Sequence, residues 1–211
     1  MEFFEEGHKY IHKENKYESV SQRIARYKPE FPKEFIAGKI AKRDDIEYED
    51  VLAEWKMIGD VSSNYGNAID LTVDYFIKYG KKPKQLFLKK VADEFEEMTK
   101  GFKMKSQVIL FSELNNLAGT TDVIVSHGKK EISILDVKSN GEINKKANGY
   151  FNSPFSKLAC DKINTYRLQL SFYKQLAEDH GFKVREIALL HWTDKWTKIV
   201  LEKVDLKETY K

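Results

Sequence analysis

The chain has 211 residues, 41% hydrophobic and 33% charged, with a formal net charge of +3. A chain of this size buries roughly 70% of its unfolded surface, so wholesale disorder is excluded, while the weak net charge neither demands nor excludes nucleic acid. Cys160 is the single cysteine, so no disulfide, zinc cluster or iron–sulfur cluster is expected.

The opening MEFFEEGHKY lacks the apolar core of a signal peptide, and no run approaches membrane-spanning length. A cytoplasmic protein with no membrane partner is expected, in a bacterial or phage-infected host cell. Its length reads most simply as one domain over 1–211, with an N-terminal hairpin and helical part (1–105) and a sheet core (106–204).

Lys9–His12 and Tyr17–Val20 flank the polar Lys13–Lys16 and predict a small hairpin. Ser19 or Ser21 caps a short helix to about Tyr27, before Pro29 and Pro32 break the chain. Helical spacing of apolar residues predicts helices over Lys33–Lys42, over Glu47–Ile58 closed by Gly59, and over Val61–Tyr79 closed by Gly80. A fourth starts at Pro83 and ends near Gly101. The period then changes. Ser106–Leu114 reads as a strand, followed by a hairpin whose strands are Asp122–Ser126 and Glu131–Val137. Asn140–Lys162 reads as a loop, Asp161–His180 as a long helix, and Glu186–Trp192 and Lys198–Val204 as strands. The order predicts an α/β domain bordering on α+β, with a mixed sheet under an N-terminal helical layer.

The hairpin concentrates the chemistry. With Gly128-Lys129-Lys130 as its loop, Asp122 stands opposite Asp136, their Cβ atoms roughly 5 Å apart. Lys138, two residues beyond Asp136, leaves the same face. Two close carboxylates repel unless a cation lies between them. A hard divalent ion prefers such oxygens, and a lysine beside it can orient a water for phosphodiester hydrolysis. A solvent-facing Asp–Lys pair accounts for the same spacing equally well.

Asp122, a strand–turn–strand spacer and Asp136-Val137-Lys138 resemble the core signature of the PD-(D/E)XK nuclease superfamily, with Thr121 where the motif has proline. Gln169 and Tyr173, four apart on the following helix, resemble the Q-x-x-x-Y motif of its RecB-like, phage-type exonuclease branch. In Gly66–Asp74, Asp70 stands where that branch has a metal-binding histidine and Asp74 where it often has a glutamate. The resemblance runs from about His8 to Trp192 and implies a restriction-endonuclease-like core.

It also implies a metal-dependent DNA exonuclease acting at ends or in single strands, in phage-type recombination, repair or replication. One or two Mg²⁺ or Mn²⁺ ions would be held by Asp70, Asp122, Asp136 and the Val137 carbonyl. Lys138 would act on the water, and Gln169 and Tyr173 would position the strand or line the active site. Glu113 and Asp74 would support the metal site. Lys145, Lys146, Tyr150, Phe151 and Phe155 offer cations and rings for phosphates and bases, against the plain alternative of a loop that tucks its aromatics into the core. DNA is the expected partner, with a recombination or single-strand-binding protein as a further one. Two alternatives stay open: a structure-specific endonuclease of the same fold, and an inactive member that only binds nucleic acid.

Overall fold

The computed structural model describes residues 1–4, 9–139, 141–143, 147 and 149–210; Lys145 and Lys146 lie outside them. Among the described residues the order is β1 (Glu2–Phe4), β2 (Lys9–His12), β3 (Asn15–Ser19), α1 (Val20–Ala25), α2 (Lys33–Asp44), α3 (Tyr48–Tyr79), α4 (Leu86–Thr99), β4 (Lys103–Ser112), β5 (Leu117–Ser126), β6 (Glu131–Lys138), α5 (Lys162–Asp179), β7 (Lys183–Trp192) and β8 (Trp196–Leu201). The expected α/β class holds. The strands form one mixed sheet in the order β1-β2-β3-β5-β6-β7-β8, with β4 on β5. No helix of the described residues is long and apolar enough to cross a membrane.

Strand alternation explains why both faces are covered. On β6, Ile132 and Ile134 pack with Leu168, Phe172 and Leu176 of α5. Leu135 and Val137 point the other way, to Ile69 and Val73 of α3 and Val91 and Phe95 of α4. A strand buried on both faces carries a near-continuous apolar run, and the ILDV of β6 obeys that rule except at Asp136.

Several boundaries differ from expectation. Gly59 does not end a helix: α3 runs unbroken for 32 residues through it. A mid-helix glycine costs only about 1 kcal/mol against alanine, and the real stop is Gly80, left-handed at φ 61°. Ser19, one of the two expected caps, does cap α1, in a reciprocal box with Gln22. Helix α4 begins at Leu86 rather than Pro83, because the Gln85 side chain accepts from the Leu88 amide at 2.7 Å. Strand β5 starts at Leu117, five residues before the hairpin motif.

One topological detail positions the site. The edge of β5 away from β4 is shared by two strands. Glu18 and Ser19 of β3 pair in parallel with Leu117 and Ala118, whereas β6 pairs antiparallel with Val123–Ser126. The sheet therefore forks between Gly119 and Asp122. Beyond Leu135, β6 leaves β5 and continues beside β7 to Lys138↔His191.

Candidate active site

At the fork the backbone ladder is replaced by side chains. The amide of Val137, which would otherwise seek a carbonyl on β5, donates to Asp122 Oδ2 at 2.8 Å. The hairpin register is the expected one: His127 N–H donates to Glu131 C=O at 2.9 Å across the Gly128–Lys130 loop, and Val123 pairs Leu135. Asp122 and Asp136 are thus the next opposed pair, at the point where the strands part.

Asp136 is 2% exposed. Its Oδ2 is buried and receives no well-angled hydrogen bond among the described residues; what it has is the Lys138 ammonium at 2.5 Å. That ammonium also donates to the Val137 carbonyl at 3.1 Å and lies 5.2 Å from the centre of the Tyr166 ring. Burial works against the charge on Lys138, but the carboxylates of Asp136 and Asp122 more than offset it and hold the ammonium above the usual lysine value. Burial, then the Asp136 charge, push the Asp122 carboxyl well above the usual carboxylate range.

Helix α3 delivers the third acid. Burial pushes Asp70 up to about 6; Lys138 opposes the shift, and the charges of Asp136 and Asp74 add to it. Its Oδ2 accepts from Gln107 Nε2 at 3.2 Å. Gln107 interrupts β4. The β4–β5 pairs stop at Ser106↔Val123 and resume at Val108↔Thr121, and Gln107 sits at φ 51° in the left-handed region. Such a conformation in a non-glycine residue carries strain of order 1–3 kcal/mol, and here it accompanies the contact with Asp70. Sequence reasoning missed Gln107, because a single glutamine in an apolar strand carries no signal of its own. Behind Asp70, Asp74 Oδ2 pairs with Lys78 at 2.9 Å, and its Oδ1 is buried without a hydrogen bond.

Asp70, Asp122, Val137 and Lys138 line a cleft of about 460 Å³ with Lys162 and Tyr166 of α5. Gln169 is half-buried, and Tyr173 sits deeper than contact with a strand requires. Tyr173 is 4% exposed, so it backs the carboxylates instead of facing a strand in the cleft. Its ring fills the fork over Gly119, where an added Cβ would lie 2.4 Å from Tyr173 Cε1. The Gln169 amide donates to its hydroxyl at 3.0 Å. Burial and the nearby Asp136 charge push that phenol well above its usual value.

Three expectations fail on geometry. Glu113 follows the turn end of β4, where it pairs with Lys13 at 3.7 Å and His12 at 3.8 Å. At about 3.3 Å per residue that end lies roughly 17 Å along β5 from Asp122. Phe151 and Phe155, 2% and 6% exposed, pack into the α5 core, with Phe155 edge-on to Tyr27 at 5.0 Å. Neither offers a face to a base. Tyr150 is exposed.

The donor chemistry suits a hard cation: two facing carboxylates, one with a buried oxygen whose partner is the Lys138 ammonium, and a backbone carbonyl turned toward the same ammonium. As they stand, no three acid, imidazole or thiol groups among the described residues gather closely enough to hold an ion, although Asp70, Asp122 and Asp136 feel one another's charge. The residues present that could hold such an ion are Asp122, Asp136 and the Val137 carbonyl, and an ion on so few protein ligands would keep several of its own waters.

No protein-family model matches the chain, and no curated protein does. Among solved structures, a Eubacterium rectale protein described only provisionally as an exonuclease aligns over 92% of this chain and 75% of its own, at TM-score 0.39 and 14% identity. A protein named SSO0001 aligns over 68% of this chain and 69% of its own, at TM-score 0.36 and 15% identity. Likenesses of that size carry no weight for activity. The functional case stands on the side chains of the cleft.

Proposed function

We propose that the cleft is the active site of a metal-dependent deoxyribonuclease, an exonuclease that hydrolyses phosphodiester bonds at DNA ends or in single strands. One observation carries the reading: where β5 and β6 part, Asp122 and Asp136 face each other with the Lys138 ammonium 2.5 Å from Asp136 and the Val137 carbonyl beside it. Asp122, Asp136 and that carbonyl would hold Mg²⁺ or Mn²⁺, with Asp70 reaching it directly or through water. The bound ion would neutralise charge on the scissile phosphate and acidify a water.

The protein's own groups do the rest. Lys138, kept protonated by its two acids, donates hydrogen bonds that orient the attacking water or a phosphate oxygen. Tyr173, with Gln169 donating to its hydroxyl, packs near enough to Asp136 and Asp122 to feel their charge, and Gln107 donates to Asp70. The water oxygen bonds to phosphorus as the bond to the 3′ oxygen breaks, one water proton passing to solvent and the 3′ oxygen taking one from solvent, leaving a 3′-hydroxyl and the 5′-phosphate that the family resemblance implies. A recombination, repair or replication setting follows from that resemblance alone.

Digestion of end-labelled single-stranded, double-stranded and circular DNA, with and without Mn²⁺, tests the reading. Ends shorten and circles survive if it holds; cut circles mean an endonuclease. No cleavage of any substrate, or full cleavage by Lys138→Ala, sinks it. The departure of Asp70 from the histidine of the resembling branch keeps one rival open, a binding-only protein, which would retain DNA affinity while Mn²⁺ binding stays undetectable by calorimetry.

A further inference from the structure

The cleft does not end at Tyr166. A larger groove of about 680 Å³ adjoins it, and Lys162 and Tyr166 line both. The opposite wall is the segment between α1 and α2, with Lys28, Phe31 and Pro32. The lining is mostly apolar, yet Phe31 is 62% exposed, with its ring 6.2 Å from Trp55. Just beyond it, the equally exposed Phe35 lies under the Lys39 ammonium at 4.2 Å. Of the two acids on the wall, Asp161 is spent on capping α5, accepting from the Asn164 amide at 2.8 Å, which leaves Glu30.

Aromatic rings beside lysines, open to solvent and continuous with a phosphodiester site, match one ligand chemistry. A duplex hides its base faces and offers phosphates, from which an apolar wall gains nothing. A single strand offers both base faces, which stack on aromatic rings regardless of sequence, and phosphates for the flanking cations. The geometry points to this groove as the seat for unpaired bases of single-stranded DNA whose backbone passes Lys162 and Tyr166 into the cleft. The path into the cleft rests on the nuclease reading; the binding itself does not.

Fluorescence anisotropy on the cleavage-blocked Asp136→Asn protein tests this, using an oligothymidylate of about twelve residues and a duplex of the same length. Phe31→Ala should weaken single-strand binding roughly 5- to 100-fold, Phe31→Trp should restore it, and duplex affinity should move by no more than about twofold. Because Phe31 is exposed, the variant should fold, which its melting temperature checks. Unchanged single-strand affinity overturns the proposal, as does an equal loss for duplex. A change confined to sedimentation does so too, since it would mark the groove as a contact between copies. Wild-type protein that cuts nothing but keeps Phe31-dependent single-strand binding sinks the nuclease reading and leaves the groove standing. Intact cleavage with Phe31-independent binding does the reverse.

Discussion

Two charged clusters lie along β5, built on opposite terms. Beside Leu117, the Glu18 carboxylate takes Arg23 Nε at 2.6 Å and an Arg26 nitrogen at 2.8 Å, and Arg23 goes on to the Asn115 and Thr209 carbonyls. Five residues along, Asp122, Asp136 and Asp70 share one ammonium. Two cations per anion make a fastening that ties β3, α1 and the C-terminal segment together. Burial and the mutual charge of three acids around one ammonium raise Asp122 and Asp70 toward the protonated form, and a cation at the site could take the place of those protons. Burial is similar in kind at both places; the charge balance separates structure from function.

The sharpest way to break this contrast is to neutralise one acid in each group. Asp136→Asn should lower cleavage by a factor on the order of 10²–10³ or more, while Glu18→Gln should leave cleavage per folded molecule unchanged. Stability should respond in reverse. Glu18→Gln should cost roughly 1–3 kcal/mol, below the ~3–5 of a fully enclosed pair because Arg26 is largely exposed. Mn²⁺ at about a hundredfold its dissociation constant should stabilise the wild type and Glu18→Gln alike by ~2.7 kcal/mol, and Asp122→Asn by far less. Chemical denaturation with and without Mn²⁺ reads all of this; an equal Mn²⁺ effect on every variant would dissolve the distinction.

The contrast was half legible in the sequence. The Gly128–Lys130 loop sets the register, and that alone brings Asp122 opposite Asp136 and puts Lys138 on the same face. The fork was not legible, because it depends on the parallel pairing of Glu18 with Leu117, a contact between residues a hundred positions apart. Gln107 was hidden for a related reason: its left-handed turn matters only because α3 brings Asp70 to it. The long α3 was missed because glycine alone rarely stops a helix in which both flanks are helical. The buried Phe151 and Phe155 show the limit of composition, since aromatics in a polar loop serve a core or a ligand with the same letters.

A second test bears on the packing that holds the fork open. Gly119→Ala would put a methyl 2.4 Å from Tyr173 Cε1 and 3.2 Å from Val20 Cγ2, so the buried tyrosine must shift. Overpacking of this kind costs typically about 1–3 kcal/mol, and cleavage should fall with it because Tyr173 backs both carboxylates. Gly128→Ala, at the exposed hairpin loop with nothing within 4 Å of the added methyl, is the matched control and should do neither. A fully active, fully stable Gly119→Ala would show that Tyr173 is a filler rather than a support.

The smallest effect is the most specific to charge balance, and it concerns pH without metal. Asp70 has a folded value of about 6 against an ordinary 3.8, raised first by burial. A carboxyl raised on folding contributes stability that is fully present below about pH 4, where it is neutral in both states, and lost as pH rises through about 6. Asp70→Asn removes that dependence. In chelator, the stability difference between variant and wild type should move in the variant's favour by roughly 1–2 kcal/mol between pH 4 and pH 7. This is less than the ~1.4 kcal/mol per pKa unit of a fully enclosed group, since Asp70 keeps some solvent contact. Adding Mn²⁺ at pH 7 should return the advantage to the wild type if Asp70 faces the ion, and leave the difference unchanged if Asp122 and Asp136 bind it alone. Either result fixes how far the charge deficit at the fork extends onto α3.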